Sequence, residues 1–138
     1  MKTISEIKAE FEAADLSELH TLYDRYGEDK RSGVRKLILA YQRKEEAYEA
    51  ELKRTESMMF YEHKYEHVGY LCGIDEVGRG PLAGPVVACA VILPKDSRIL
   101  YLNDSKKLTE AKREELYPVI MKEAVAVGIG MSDHRKID

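Results

Sequence analysis

The spacing of apolar residues divides the chain near residue 68. Up to about His67, apolar positions recur at helical spacing. Thr3-Ile-Ser-Glu6 and Asp15-Leu-Ser-Glu18 both have the spacing of a capping box, so each predicts the start of a short helix. Gly27 is the expected stop of the second. From about Ser32 towards His63, the residues Val34, Leu37, Ile38, Tyr41, Tyr48, Leu52 and Met59 form one stripe at spacings of three and four. That stripe predicts a helix on the order of 45 Å long at about 1.5 Å per residue. Tyr61 to Tyr70 is the expected linker.

Beyond Val68 the period changes. Tyr70–Ile74 reads as a strand. Val86–Leu93 is a continuous apolar run, as expected of a strand covered on both faces. Thr109 predicts the cap of a helix reaching about Tyr117, with a kink or restart at Pro118. Ala124–Gly130 predicts a third strand, with Val125, Val127 and Ile129 on one face and small residues on the other, where a helix can pack closely. There are no internal repeats. Three strands and one helix make a thin core, since a domain of about 60 residues buries only ~60% of its unfolded surface. The apolar density therefore calls for more partner surface than the chain supplies. Because Lys136-Ile-Asp138 carries no terminating signal, a fragment of a longer protein is expected. The predicted organisation is a helical segment, 1–68, followed by an α/β segment, 69–138.

Composition narrows the class. With 138 residues, 44% hydrophobic and 34% charged, the chain reads as soluble and globular. No apolar run approaches the ~20 residues needed to span a bilayer. The start lacks an apolar signal core, so a cytoplasmic protein is expected. Cys72 and Cys89 lie in apolar runs and are expected to be buried free thiols; their spacing does not suggest zinc. The net charge of −3 hides a local patch: Lys30, Arg31, Arg35, Lys36, Arg43 and Lys44 occur without an intervening acid. Arg31, Arg35 and Lys36 are either a solvated face or a nucleic-acid contact. Cations opposing a helix N-terminal dipole give some weight to the contact. His63 and His67 stand four apart but have no companion ligands, so they read as surface residues. Met58, Met59 and Phe60 read as packing residues.

The chemistry concentrates in Gly73-Ile-Asp-Glu-Val-Gly-Arg-Gly-Pro-Leu-Ala-Gly-Pro85. Two carboxylates close an apolar run. Charge in an apolar setting is costly unless paired, so a cation belongs there, and a divalent metal is the natural candidate. Asp75 and Glu76 diverge if the strand continues through both. They serve one site only if it ends or bulges there, and Gly78 eases such an ending. Pro81, Gly84 and Pro85 then exclude regular structure before Val86.

Three ordered blocks, Gly73–Gly80, Pro81-Leu-Ala-Gly-Pro-Val86 and Asn103-Asp-Ser-Lys-Lys-Leu108, closely resemble ribonuclease HII, the type 2 ribonucleases H. Residues 1–68 resemble, far more weakly, the helical extension of some bacterial members. The resemblance implies a ribonuclease H-like α/β fold, with an incomplete mixed sheet and helices. It also implies an endonuclease that cuts the RNA strand of RNA–DNA hybrids and incises 5′ of ribonucleotides embedded in duplex DNA, leaving a 5′-phosphomonoester, as in ribonucleotide excision repair. The implied cofactor is Mn²⁺ or Mg²⁺, and the implied state a monomer with no membrane association. Asp75 and Glu76 match the first two of the family's four metal-binding acids. Gly78, Arg79 and Gly80 match the loop that reads the ribose 2′-OH and phosphate. Ser105 and Lys106 match backbone-phosphate contacts; Asp104 reads as a turn or capping acid.

The family's other two acids and a substrate-contacting tyrosine lie downstream. Asp133 and Asp138 read as loop or helix-start acids and not as replacements. The chain alone is therefore expected to bind metal weakly and not to turn over substrate. Two other classes compete: a non-enzymatic helical nucleic-acid or protein-binding module joined to a structural α/β remnant, and a different ribonuclease H-like nuclease or transferase. The Gly-Arg-Gly loop argues against the latter.

Overall fold

The computed structural model describes residues 2–80 and 84–137. The chain divides into two compact units, Met1–Lys53 and Arg54–Asp138. The expected helices come first along the chain: α1 (Ile4–Ala13), α2 (Leu19–Tyr26) and α3 (Ser32–Met58). Thr3 opens α1 with a complete capping box: its hydroxyl accepts from the Glu6 N–H at 3.2 Å, and the Glu6 carboxylate accepts from the Thr3 N–H at 2.6 Å. Asp15 N–H donates to Glu18 at 3.0 Å, opening a 3-10 turn that leads into α2. Gly27 ends α2 but keeps right-handed helical angles, so it does not act as a left-handed cap.

The core of the first unit is Ile7, Phe11, Leu19, Leu22, Tyr26, Val34 and Ile38. Each fully buried side chain of this size contributes about 1.5–3 kcal/mol. Phe11 is central, with ring centroids 5.0 Å from Tyr41 and 5.9 Å from Tyr23. Polar groups rim this core. Glu10 accepts from Tyr26 Oη at 2.8 Å and pairs with Lys2, whose ammonium holds the carboxyl below its usual range. Burial and the nearby Glu45 carboxylate push the Tyr23 phenol up to about 12.

The α3 stripe departs from expectation at its C-terminal end. The helix stops at Met58, five residues short of His63, and is followed by the short α4 (Phe60–Lys64). The reason is local: the Met59 N–H bonds to Glu56 O, three residues back, tightening the turn, and the Met59 side chain is buried. Leu52, on the same stripe, is exposed.

The second unit holds a three-stranded antiparallel sheet in the order β1 (Gly73–Val77), β2 (Val86–Ile92), β3 (Ala126–Ser132). Strand β1 begins three residues later than expected, because pairing follows β2 from Gly73↔Val91 to Val77↔Val87. Gly78 then turns the chain with φ +94°. Helix α5 (Glu110–Glu123) is capped by Thr109, which accepts from the Lys112 N–H at 3.3 Å. It does not restart at Pro118. Pro118 and Glu114 are both exposed, so water can serve the carbonyl that proline leaves unpaired. A last short helix, α6 (His134–Ile137), starts beside Asp133, whose carboxylate accepts from the Lys136 N–H at 3.2 Å. Asp133 is thus a helix-start acid. Asp138 and the expected irregular stretch at Pro81 lie outside the described residues.

Cross-strand partners share a face of the sheet. One face carries Asp75, Val77, Val87, Cys89, Ile129 and Met131. The other carries Ile74 and Glu76 beside Ala88, Ala90, Gly128 and Gly130. Among the described residues neither face of β1 is covered: Ile74 is 74% exposed and Val77 67%. This shortage of partner surface is the one expected from the apolar density. It corrects two burial expectations, since Cys72 is exposed and Cys89 only half-buried; both are free thiols.

Candidate functional site

The acid pair lies within β1. The ladder continues through Asp75↔Cys89 and Glu76↔Ala88, so the two side chains leave opposite faces of the strand. The strand ends only at Val77. The ending or bulge that would turn both acids to one side therefore does not occur at the pair itself. Both acids are exposed to water, so the desolvation cost expected of a buried pair is not incurred here.

Immediately after the strand, Gly78 turns so tightly that a Cβ there would stand 2.2 Å from the Pro85 carbonyl oxygen. The turn brings Arg79 back over the end of β1, where its Nη1 lies 3.3 Å from Glu76 Oε1. Arg79 is 75% exposed and Glu76 43%, so this ion pair is solvated and worth at most about 1 kcal/mol. Gly80 is exposed. Glu76 and Arg79 are thus in contact, with Asp75 on the other face.

Ser105 and Lys106 occupy a separate element, the 3-10 turn Ser105–Lys107. Asp104 caps it, its carboxylate accepting from the Lys106 N–H at 2.9 Å. Asp104 is accordingly a capping acid. Both Ser105 and Lys106 are exposed. Sequence reasoning missed two arginines around this turn. Arg113 Nη1 donates to the Leu108 and Ser105 carbonyls at 2.8 and 3.2 Å. Arg54 Nη2 donates to the Leu102 carbonyl at 2.7 Å. Neither belongs to a motif, and side-chain bonds to carbonyls leave no periodic trace.

In the helical patch, Arg31 is committed. Its Nε donates to both Asp29 carboxylate oxygens at 3.0 and 3.1 Å, and its Nη1 to Lys2 O at 2.9 Å. The Arg31 guanidinium pulls the Asp29 carboxyl down to about 2. Arg35 and Lys36 are exposed on α3. His63 sits 3.6 Å from Glu56 at the surface.

A cavity of about 500 Å³ in the second unit is lined by Met58, Met59, Tyr65, Leu71, Val91 and Ile99 among others, and by neither acid. Among the described residues, no three ligand-type side chains converge on a metal position. Asp75 and Glu76 are hard oxygen donors open to water, which suits a cation that keeps several waters, but they are a partial set.

Two family models match the chain: "Ribonuclease HII N-terminal domain" over residues 3–66 and "Ribonuclease HII" over residues 72–138. A ribonuclease HII from Lachnoclostridium phytofermentans is 53% identical over 98% of this chain and 53% of its own length. The one from Acetivibrio thermocellus is 47% identical over 99% of this chain and 54% of its own. The one from Lactobacillus delbrueckii subsp. bulgaricus is 52% identical over 80% and 43% respectively. The chain spans about half the length of the curated relatives it matches. With both of its halves matched and about half of its residues shared along nearly the whole sequence, the chain belongs to the ribonuclease HII family.

Proposed function

We propose that this chain supplies the first part of the active site of a divalent-metal-dependent ribonuclease H. Its substrates are RNA–DNA hybrids and duplex DNA with embedded ribonucleotides, incised on the 5′ side, as in ribonucleotide excision repair. The observation that carries the reading is the adjacent Asp75 and Glu76 on β1, followed at once by a turn that folds Arg79 onto Glu76.

Asp75 would hold Mn²⁺ or Mg²⁺ together with carboxylates from outside these elements, and Glu76 would join it where the end of β1 turns its carboxylate to the Asp75 face. When bound, such ions activate water and stabilise the charge developing on the phosphate. Gly78 and Gly80, lacking Cβ atoms, would let the backbone approach a ribose and bond its 2′-OH. Arg79 would exchange its weak contact with Glu76 for a forked contact to phosphate. Ser105 and Lys106 would bind the backbone nearby. Arg35 and Lys36 would add a secondary electrostatic contact, with Arg31 held back by Asp29.

With two acids, the chain alone is proposed to bind metal weakly and to show no turnover; robust Asp75-dependent cleavage by it would overturn that point. The proposed setting is a monomer in the cytoplasm. Among the described residues no helix is long and apolar enough to cross a membrane. The functional division is proposed at residues 68 and 69; family matches ending at 66 and resuming at 72 support it.

Joining residues 1–138 to the remaining part of the Lachnoclostridium relative tests the assignment. The chimera should cut a duplex 5′ of a single ribonucleotide in Mn²⁺, and Asp75→Asn should abolish the cut. A folded chimera that is inert, or one whose Asp75→Asn variant cuts at an undiminished rate, refutes it.

A further inference from the structure

We propose that Arg113 is a positioning residue that locks the Ser105–Lys107 turn, so that the Ser105 hydroxyl and the Lys106 ammonium are presented together to one stretch of phosphate backbone. The inference rests on the reading of Ser105 and Lys106 as phosphate contacts.

A single 3-10 turn is too short to hold itself, because its few internal bonds do not offset the ordering of its residues. Two backbone bonds close it: Lys107 N–H to Asp104 O at 2.8 Å and Leu108 N–H to Ser105 O at 3.2 Å. External anchors supply the rest. One nitrogen of Arg113 spans the turn, donating to the carbonyl of its first residue, Ser105, and to that of Leu108, just past its last. The Ser105 carbonyl accepts this bond in addition to the one from the Leu108 N–H, and the Leu108 carbonyl lies just beyond the turn. The anchor is itself fixed: Arg113 lies in the first turns of α5, which is capped by Thr109 and pinned by the buried Leu116.

The approach to the turn is held as well. Arg54 grips the Leu102 carbonyl, and Asn103 Oδ1 accepts from the Asp104 N–H at 2.9 Å. Before them Tyr101 adopts φ +66°, uncommon for a tyrosine, with the Lys112 ammonium 4.5 Å from its ring centroid. Backbone restraint thus comes from both sides, while the side chains of Ser105 and Lys106 stay exposed. Such a loop binds phosphate without first having to be ordered. Because the Arg113 guanidinium is directed at carbonyls, its effect on binding passes through the turn.

The test uses this chain and a short fluorescent RNA–DNA hybrid, with anisotropy read across a salt series. Amide exchange at Lys107 and Leu108 is followed in parallel. Arg113→Ala should weaken binding about three- to tenfold with an unchanged salt slope, and should speed exchange at both amides. Arg113→Lys should recover only part of the affinity, since an ammonium lacks the fork of a guanidinium. Lys106→Ala should weaken binding and lower the salt slope by about one, leaving exchange unaltered. The positioning role is overturned if Arg113→Ala binds like the unmodified chain. It is also overturned if that variant lowers the salt slope as Lys106→Ala does, which would make Arg113 a phosphate contact itself. Wild-type affinity in Lys106→Ala would instead remove the phosphate reading of the turn, and the positioning role with it.

Discussion

Replacing Gly78 by alanine strikes the turn that joins the acid pair to Arg79. Two costs combine. At φ +94° an L side chain is strained, typically by about 1–3 kcal/mol. The new Cβ would also meet the Pro85 carbonyl oxygen at 2.2 Å and its carbon at 3.3 Å. Both partners are backbone, so no side-chain rotation relieves the overlap and the β1–β2 connection must open. The sum should exceed about 3 kcal/mol, or roughly a hundredfold in a local opening equilibrium at ~1.4 kcal/mol per tenfold. Gly69→Ala is the control: φ is +100°, but a Cβ there meets nothing within 4 Å among the described residues, so only the strain applies. Hydrogen exchange at Glu76, Val77, Val86 and Val87 is the assay, with far-UV circular dichroism to verify folding. Gly78→Ala should lose about a hundredfold protection at the Val77↔Val87 end of the ladder and much less at Gly73↔Val91. Equal protection in both variants, or an undisturbed Val77 in Gly78→Ala, would refute the steric reasoning.

Phe11→Ala should cost about 3–5 kcal/mol, because Phe11 is 1% exposed and sits among Tyr23, Tyr26 and Tyr41. Urea titration read at α1 and α2 amides checks it, and a shift below about 1 kcal/mol would remove Phe11 from the core. Asp29 has a lowered folded pKa of about 2, so its contribution to stability is complete above the ordinary carboxylate range and is lost as pH falls towards 2. Thermal melts of the first unit should therefore decline over that window, and Asp29→Asn should flatten the decline; an unchanged profile would contradict the Arg31 contact. Arg79→Ala should leave stability within about 0.5 kcal/mol, since its ion pair is solvated, while weakening hybrid binding. A large loss of melting temperature would show the arginine to be structural.

Local signals were legible in the sequence. Thr3 with Glu6, Asp104 before its turn and Thr109 before α5 each needed only two to four neighbouring residues, and all appear as caps. The antiparallel partners were legible as apolar runs, but their limits were not. Strand β1 extends to Val77 because β2 offers partners that far, and no residue within β1 announces it. Helix α5 passes Pro118 where both Pro118 and Glu114 are exposed, a matter of surroundings that the proline rule does not contain. The break at Met59 and the exposure of Cys72, Asp75 and Glu76 depend on which surfaces meet, which a one-dimensional pattern does not encode. The same holds for Arg113, whose bonds to the Ser105 and Leu108 carbonyls exist only once α5 lies beside the turn.

The assignment of Asp75 and Glu76 as metal ligands is tested most directly by titrating Mn²⁺ into this chain and recording paramagnetic broadening of its amide signals. Weak binding is predicted, with broadening centred on Gly73–Gly80 and abolished in the Asp75→Asn, Glu76→Gln double variant. Broadening spread evenly over the chain's other carboxylates, or persisting around β1 in the double variant, would contradict it.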